Sequence, residues 1–170
     1  MTIKLITAEE FSNYRNISKK QDTSKIDESI KEAQSVDLFD VLGSFLFDVI
    51  TNKDNVVYAD LMTGSTFTCD GESYIQEGIK SVLADYTYSR YLYKINTNHT
   101  PFGLQQKFTN NSQPVERNIL KDMQKQTLVD ANIKFRMIDK YLRENQTTFS
   151  RYCTGNDSTI TSFSQKFSIL

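Results

Sequence analysis

Residues 112–145 read SQPVERNILKDMQKQTLVDANIKFRMIDKYLREN. Leu120, Met123, Leu128, Ala131, Phe135, Ile138 and Leu142 recur at close to the helical period, and charged residues fill the positions between them. Ser112 and Pro114 supply a start, and Asn145 supplies an end. The spacing predicts a helix of about eight turns, some 45 Å long. That is long for a chain of 170 residues, and it sets the fold class as mainly α.

The same period appears upstream. Ile79, Val82, Leu83, Tyr86, Arg90 and Tyr93 fall along one helical face, with Tyr88, Tyr91 and Ile95 beside it. Further back, Ile26, Ile30 and Ala33 lead into Leu38, Leu42, Phe45 and Val49, interrupted by Gly43. A glycine inside a helix costs about 1 kcal/mol relative to alanine. The expectation is one helix kinked near Gly43 or two packed helices, ended by the turn chemistry of Asn52-Lys53-Asp54-Asn55. Thr7-Ala8-Glu9-Glu10 has the spacing of a capping box and predicts a short helix over 8–14; Ser24-Lys25-Ile26-Asp27 repeats it. Helices 24–50, 79–95 and 114–145 are expected to form the core.

Between the helices the period changes. Ser65-Thr66-Phe67-Thr68 and Ser73-Tyr74-Ile75 flank Cys69-Asp70-Gly71-Glu72. Asp-Gly accepts positive φ in a two-residue turn, and Thr, Phe and Tyr suit strands. This predicts a short β-hairpin over about 65–76. Two strands alone are marginal, so the hairpin needs support from its own core or from a neighbouring subunit. Residues 96–113, rich in Asn and Thr, read as a long loop. Residues 154–170 contain seven Ser or Thr among 17, yet also Ile160, Phe163, Phe167, Ile169 and Leu170. They read as an extended C-terminal arm that orders on a partner. The expected organisation is a small helical bundle over 1–153 with an inserted hairpin, followed by the arm.

Composition narrows the function. There are 20 basic and 21 acidic residues, a net charge of −1, which rules out holding DNA by bulk positive charge. Ser, Thr, Asn and Gln total 55, so solubility rests on neutral polar groups more than on charge. Two prolines and six glycines are too few for a turn-rich sandwich or barrel. No glycine-rich phosphate loop is present. Cys69, Cys153 and His99 are the only cysteines and histidine, so no Cys/His zinc set can be assembled, and any nucleophilic triad must use His99. No apolar stretch resembles a signal peptide, and Val41–Ile50 is far short of a membrane span. A soluble, non-secreted protein in a reducing compartment is the expectation.

Each remaining motif has a bland reading beside a chemical one. Asp37 and Asp40, with Asp48 further on, could hold metals for a nuclease, but a solvated acidic face is the simpler reading. His99 could serve as a general base, yet no nucleophile adjoins it. Cys69 has no basic neighbour in sequence to activate its thiol. The run Tyr86–Lys94 has the composition of a surface on which bases stack, although its helical spacing reads as core or interface. Residues 1–64 carry 7 basic and 11 acidic groups, and 114–145 carry 7 and 5. Opposite faces of this kind pair subunits head to tail, or are simply solvated.

The order of parts resembles the head–tail connector (adaptor, or head-completion) proteins of tailed phages, closest to the neck ring proteins of crAss-like phages. The features are N-terminal helices, the Leu61-Met62-Thr63-Gly64 turn, the Asp70-Gly71 hairpin, and Gly78-Ile79-Lys80 opening a Tyr-rich helix. A long loop follows, then the helix that ends near Tyr141-Leu142-Arg143-Glu144-Asn145, and a polar tail. The resemblance covers residues 5–152. It implies a helical bundle that assembles as a homo-oligomeric ring, twelvefold, beneath the portal protein. The ring extends the DNA channel and seats the adjacent neck or tail ring proteins. It implies no catalytic, metal or cofactor site, no membrane partner, and a place in the virion after synthesis in the host cytoplasm. DNA would pass without sequence-specific binding. Phe67 and Tyr74 on the hairpin would then contact the neighbouring subunit or next ring, and Ile160, Phe163, Phe167 and Ile169 would anchor the arm on the portal. The alternative from another class is a small nucleic-acid-binding accessory protein using Tyr86, Tyr88, Arg90, Tyr91 and Lys94 beside Lys121 and Lys125. A hydrolase built on His99 is a third reading.

Overall fold

Thr7 Oγ1 accepts a hydrogen bond from the Glu10 amide at 3.1 Å, and Glu10 Oε2 accepts from the Thr7 amide at 2.9 Å. This capping box opens α1 (Ala8–Tyr14) in a computed structural model. The structure describes residues 3–17, 23–95, 97–100, 103–106 and 115–152, with 97–100 and 103–106 described by their backbone. The second expected box does not form. Helix α2 (Thr23–Glu32) is already running at Thr23, so Ser24 lies inside it. Asp27 does not reach back to a cap but pairs with Lys4 at 2.7 Å.

The stripe from Ile26 to Val49 is buried at every position. Its gap of five between Ala33 and Leu38 would put an ideal α-helix about 140° out of phase. A π turn over Ala33–Asp37 absorbs the extra residue and keeps the stripe on the core. Helix α3 (Leu38–Leu42) continues to Gly43, whose φ of 55° and ψ of −140° break the run. Helix α4 (Phe45–Asn52) then packs against α3. Asn55 caps a 3-10 turn over Val56–Tyr58 by accepting from the Val57 amide at 3.0 Å. Helix α5 (Ala59–Thr63) ends on Gly64, so the Leu61–Gly64 segment is the end of a helix.

Strands β1 (Ser65–Cys69) and β2 (Glu72–Gln76) form the expected antiparallel hairpin, with Phe67 opposite Tyr74. Asp70 and Gly71 take φ of 52° and 80°, the paired positive values of the favoured two-residue turn. At the base of the hairpin, buried Gln76 satisfies three groups. Its Nε2 donates to the Asp60 carbonyl at 2.6 Å and to Ser65 Oγ at 3.1 Å, and its Oε1 accepts from the Gly78 amide at 2.7 Å.

Helix α6 (Gly78–Lys94) is the central element. From Ile79 to Thr87 only Lys80 is not buried, because α2, α5 and α7 pack around it. The expected single stripe fails at its end. Tyr93 is 71% exposed, since the core continues from Tyr86 through Thr87 and Tyr91 instead. The region expected to be one long loop contains a second hairpin. β3 (Thr97–Thr100) and β4 (Gly103–Gln106) pair antiparallel, the two-residue separation being short enough to close a ladder.

Helix α7 (Arg117–Glu144) has 28 residues, about 42 Å. It starts at Arg117 and not at Pro114, since Glu116 is extended at φ −56° and ψ 141°; Ser112 and Pro114 lie outside the described residues. After α7, Phe149 inserts among Phe45, Tyr58 and Tyr141 with ring centroids 5.2–6.3 Å apart. A 3-10 turn over Ser150–Tyr152 follows. The fold is therefore mainly α, with a long C-terminal helix and an inserted short hairpin. The arm, 154–170, lies outside the described residues, as does Cys153.

Candidate interaction surface

Phe67 and Tyr74 are the hairpin residues expected to meet a neighbour. The structure turns both inward. Phe67 is buried, stacked on Tyr74 at 5.7 Å and edge-on to Tyr141 of α7 at 5.5 Å. The Lys140 ammonium lies 3.5 Å from the centre of the half-buried Tyr74 ring. Cys69 Sγ donates to Glu144 Oε1 at 2.9 Å. That bond and burial push the thiol up to about 11, which leaves it protonated and unreactive at neutral pH. The hairpin thus finds its support on α7 of its own chain. Pairing fixes alternate residues to opposite faces, and the outward one is Ile75, 69% exposed.

The aromatic and basic run of α6 is likewise used internally. Tyr86 is buried and donates to Asn132 Oδ1 at 2.8 Å; burial raises its pKa. Tyr91 is buried as well. The Arg15 guanidinium covers Tyr88 at 5.2 Å. Arg90 makes a two-point bond to Asp37, at 2.5 and 2.8 Å, with Glu32 nearby at 3.6 Å. The bond to Asp37 holds its pKa above the usual value. Lys94 pairs with Glu32 at 2.8 Å and Glu28 at 3.2 Å. A stacking surface needs free ring faces and free cations; within the α6 run only Tyr93 faces out, beside a shallow hollow of about 240 Å³, whereas Lys121 and Lys125 of α7 are exposed.

Many acidic groups of the N-terminal third are paired within the chain, whereas Glu9, Asp40 and Asp60 are exposed. Besides these pairs, Lys80 meets Glu10 at 2.7 Å and holds its carboxyl below the usual range. Arg151 meets Asp48 at 3.0 Å. Asp85, whose side chain is 2% exposed, accepts twice from Arg15, at 3.0 and 2.6 Å, and lies 3.1 Å from the Lys134 ammonium. Lys134 also meets Glu77 at 2.7 Å. Burial alone would raise Glu77, but Lys134 and the Ser81 hydroxyl outweigh it and lower its pKa.

Asp37 is taken by Arg90, Asp48 by Tyr58 and Arg151, and Asp40 is exposed on α3. No group of three Asp, Glu, His or Cys among the described residues is placed to hold a metal. The His99 backbone pairs opposite Leu104 in β3; its side chain lies outside the described residues, as do Ile160, Phe163, Phe167 and Ile169. No helix among the described residues is long and apolar enough to cross a membrane.

Two apolar surfaces remain that the sequence reading missed. On α7, Ile119, Met123 and Ile133 are each 40–51% exposed. With half-buried Met137 they fall within about 80° of helical arc beside the core stripe, as two apolar pairs separated by Gln126 and Asp130, which hydrogen-bond in the same arc at 2.9 Å. Around Gly43, Val36, Phe39 and Phe47 are exposed, and the two phenylalanine rings meet edge-to-face at 6.2 Å. The signal was available: all seven are large apolar residues that fall outside the stripes assigned to the core, apart from Met123. Monomeric domains rarely leave such residues grouped in the open.

The model of one family, described as "Family of unknown function (DUF6712)", matches residues 38–162, from the start of α3 through α7 into the arm. No curated protein and no solved structure matches the chain.

Proposed function

The chain belongs to the family DUF6712, of unknown function, and from its surfaces we propose that it is a structural subunit of a tailed-phage neck. In this reading copies assemble as a ring between portal and tail, extend the DNA channel and seat neighbouring components. The observation that carries the reading is the α7 flank. A 28-residue helix buries one stripe in its own fold and leaves Ile119, Met123 and Ile133 40–51% exposed, with no covering partner among the described residues. Helices with two apolar flanks bridge two layers, here the subunit's own core and an adjacent copy. The order of elements, with its resemblance to connector proteins, supports the same reading. So does a net charge of −1, which lets DNA slide and not stick. In the assembled neck, Phe163, Phe167 and Ile169 of the arm reach the portal.

The test is Ile119→Asp with Ile133→Asp. Each side chain is about half exposed, so its burial in a ring is worth about 1 kcal/mol, and the three flank residues about 3 kcal/mol together. Two charges placed there lower the occupancy of rings on purified portal particles by about a hundredfold. The circular-dichroism signal stays unchanged. Rings that form on the portal as well as wild type would overturn the proposal.

A further inference from the structure

The second apolar surface has its own geometry. Gly43 reverses the chain between α3 and α4, and so brings together two rings eight residues apart, Phe39 and Phe47. Val36, at the end of the π turn, precedes Phe39 by three positions and is also exposed. The opposite face of α4 is core, through Phe45 and Val49.

The last described residues are fastened to this same helix. The Tyr152 ring lies 5.3 Å from Phe45, and its hydroxyl donates to Asp139 at 2.6 Å. Arg151 donates to Asp48, the residue next to Phe47, at 3.0 Å. Eighteen residues follow Tyr152, and among them Ile160, Phe163, Phe167 and Leu170 are spaced three, four and three apart, the interval at which one helical face repeats. Only Asp157 and Lys166 are charged in that segment, and it contains no proline. Eight residues, 153–160, span up to about 26 Å when extended, whereas α4 is only about 12 Å long.

We propose that Val36, Phe39 and Phe47 form the docking site for residues 160–170 of the same chain. Two facts select this occupant: the segment departs from beside α4, the helix that carries Phe47, and its apolar residues match the patch in kind. A short tether holds it at an effective concentration on the order of millimolar. At micromolar protein, a second copy's arm competes poorly against that. The docked arm covers the patch and withholds Phe163 and Phe167 from any other surface until displaced. This inference concerns the isolated chain and does not depend on the neck reading.

The experiment uses the full chain with Phe47→p-benzoylphenylalanine, a change at a 64% exposed position. Isotopically light and heavy chains are mixed in equal amounts at micromolar concentration, irradiated, and the cross-linked peptides identified by mass spectrometry. The expected result is a link from position 47 to residues 154–170 within one isotopic label, lost when Phe163→Asp and Phe167→Asp are introduced together. Links between light and heavy chains would assign the patch to a second copy. Links elsewhere, or none, would leave the arm undocked. Either outcome overturns the proposal.

Discussion

Asp85 ties α1, α6 and α7 together, and its removal should show how much of the fold rests on buried charge. Its side chain is 2% exposed, whereas those of Arg15 and Lys134 are 28% and 26% exposed. Asp85→Ala leaves Arg15 without its carboxylate, whereas Lys134 keeps Glu77 at 2.7 Å, and both cations are partly hydrated. Removing one member of a fully buried pair costs about 3–5 kcal/mol; with a quarter of each cation in water, about 2–3 kcal/mol is expected. Arg15→Met instead strands the carboxylate, the more deeply buried member, with only Lys134 at 3.1 Å to compensate it. It should therefore cost at least as much as Asp85→Ala. The assay is urea unfolding followed by circular dichroism, with the double variant closing a cycle. At 170 residues, the Asp85→Ala loss corresponds to about 5–10 °C in melting temperature. A loss below about 0.5 kcal/mol, or Asp85→Ala clearly costlier than Arg15→Met, would mean that burial of Asp85 does not govern the energetics of this cluster.

Gly78→Ala should destabilise by about 3 kcal/mol, because φ is +83° and a Cβ would sit 2.5 Å from the Met62 carbonyl oxygen. Gly71→Ala, at φ +80° with open space around it, should cost only about 1 kcal/mol; equal losses in thermal melts would contradict the packing. With its thiol pushed up to about 11 from an ordinary 9.0, native Cys69 should alkylate about a hundredfold more slowly than an unfolded thiol near pH 8, as measured by peptide mapping. Glu144→Gln should speed that reaction; an unchanged rate would remove Glu144 as the cause. Glu10 and Glu77 are lowered from 4.5 in the fold, so their contribution is present above that value and lost as pH falls through the folded values. Melting temperature should drop on acidification, and drop less in Glu77→Gln; an identical acid profile would count against the Lys134 pairing.

What could be read in advance was what is set locally. The Thr7–Glu10 box, the Asp70-Gly71 turn, the α6 stripe from Ile79 to Tyr86 and the Ala131–Leu142 part of the α7 stripe each depend on residues within a few positions; Met123 and Leu128, expected on that stripe, are 40% and 38% exposed. The π turn escaped the sequence reading, although the gap of five between Ala33 and Leu38 is a spacing that an α-helix cannot hold in phase. Tyr93 was misplaced because α6 is enclosed on several sides, and a helix so buried has no single stripe to extrapolate. The β3–β4 pairing escaped because Thr, Asn and Gln carry no apolar alternation. The candidate surface was harder still. Phe67 and Tyr74 looked like contacts for a neighbour because a hairpin needs support, and nothing local said that Tyr141 and Lys140, some seventy positions away, provide it. Phe39, Phe47, Ile119 and Ile133 become informative only once the core stripes are fixed and these residues are seen to lie off them.

The central claim is that the chain is a stoichiometric part of a phage neck. Its most direct test is quantitative mass spectrometry of purified phage particles, comparing copies of this chain with copies of portal protein. A neck ring predicts a ratio near one to one, or a small whole multiple of it. Absence of the chain from the particles would contradict the claim outright.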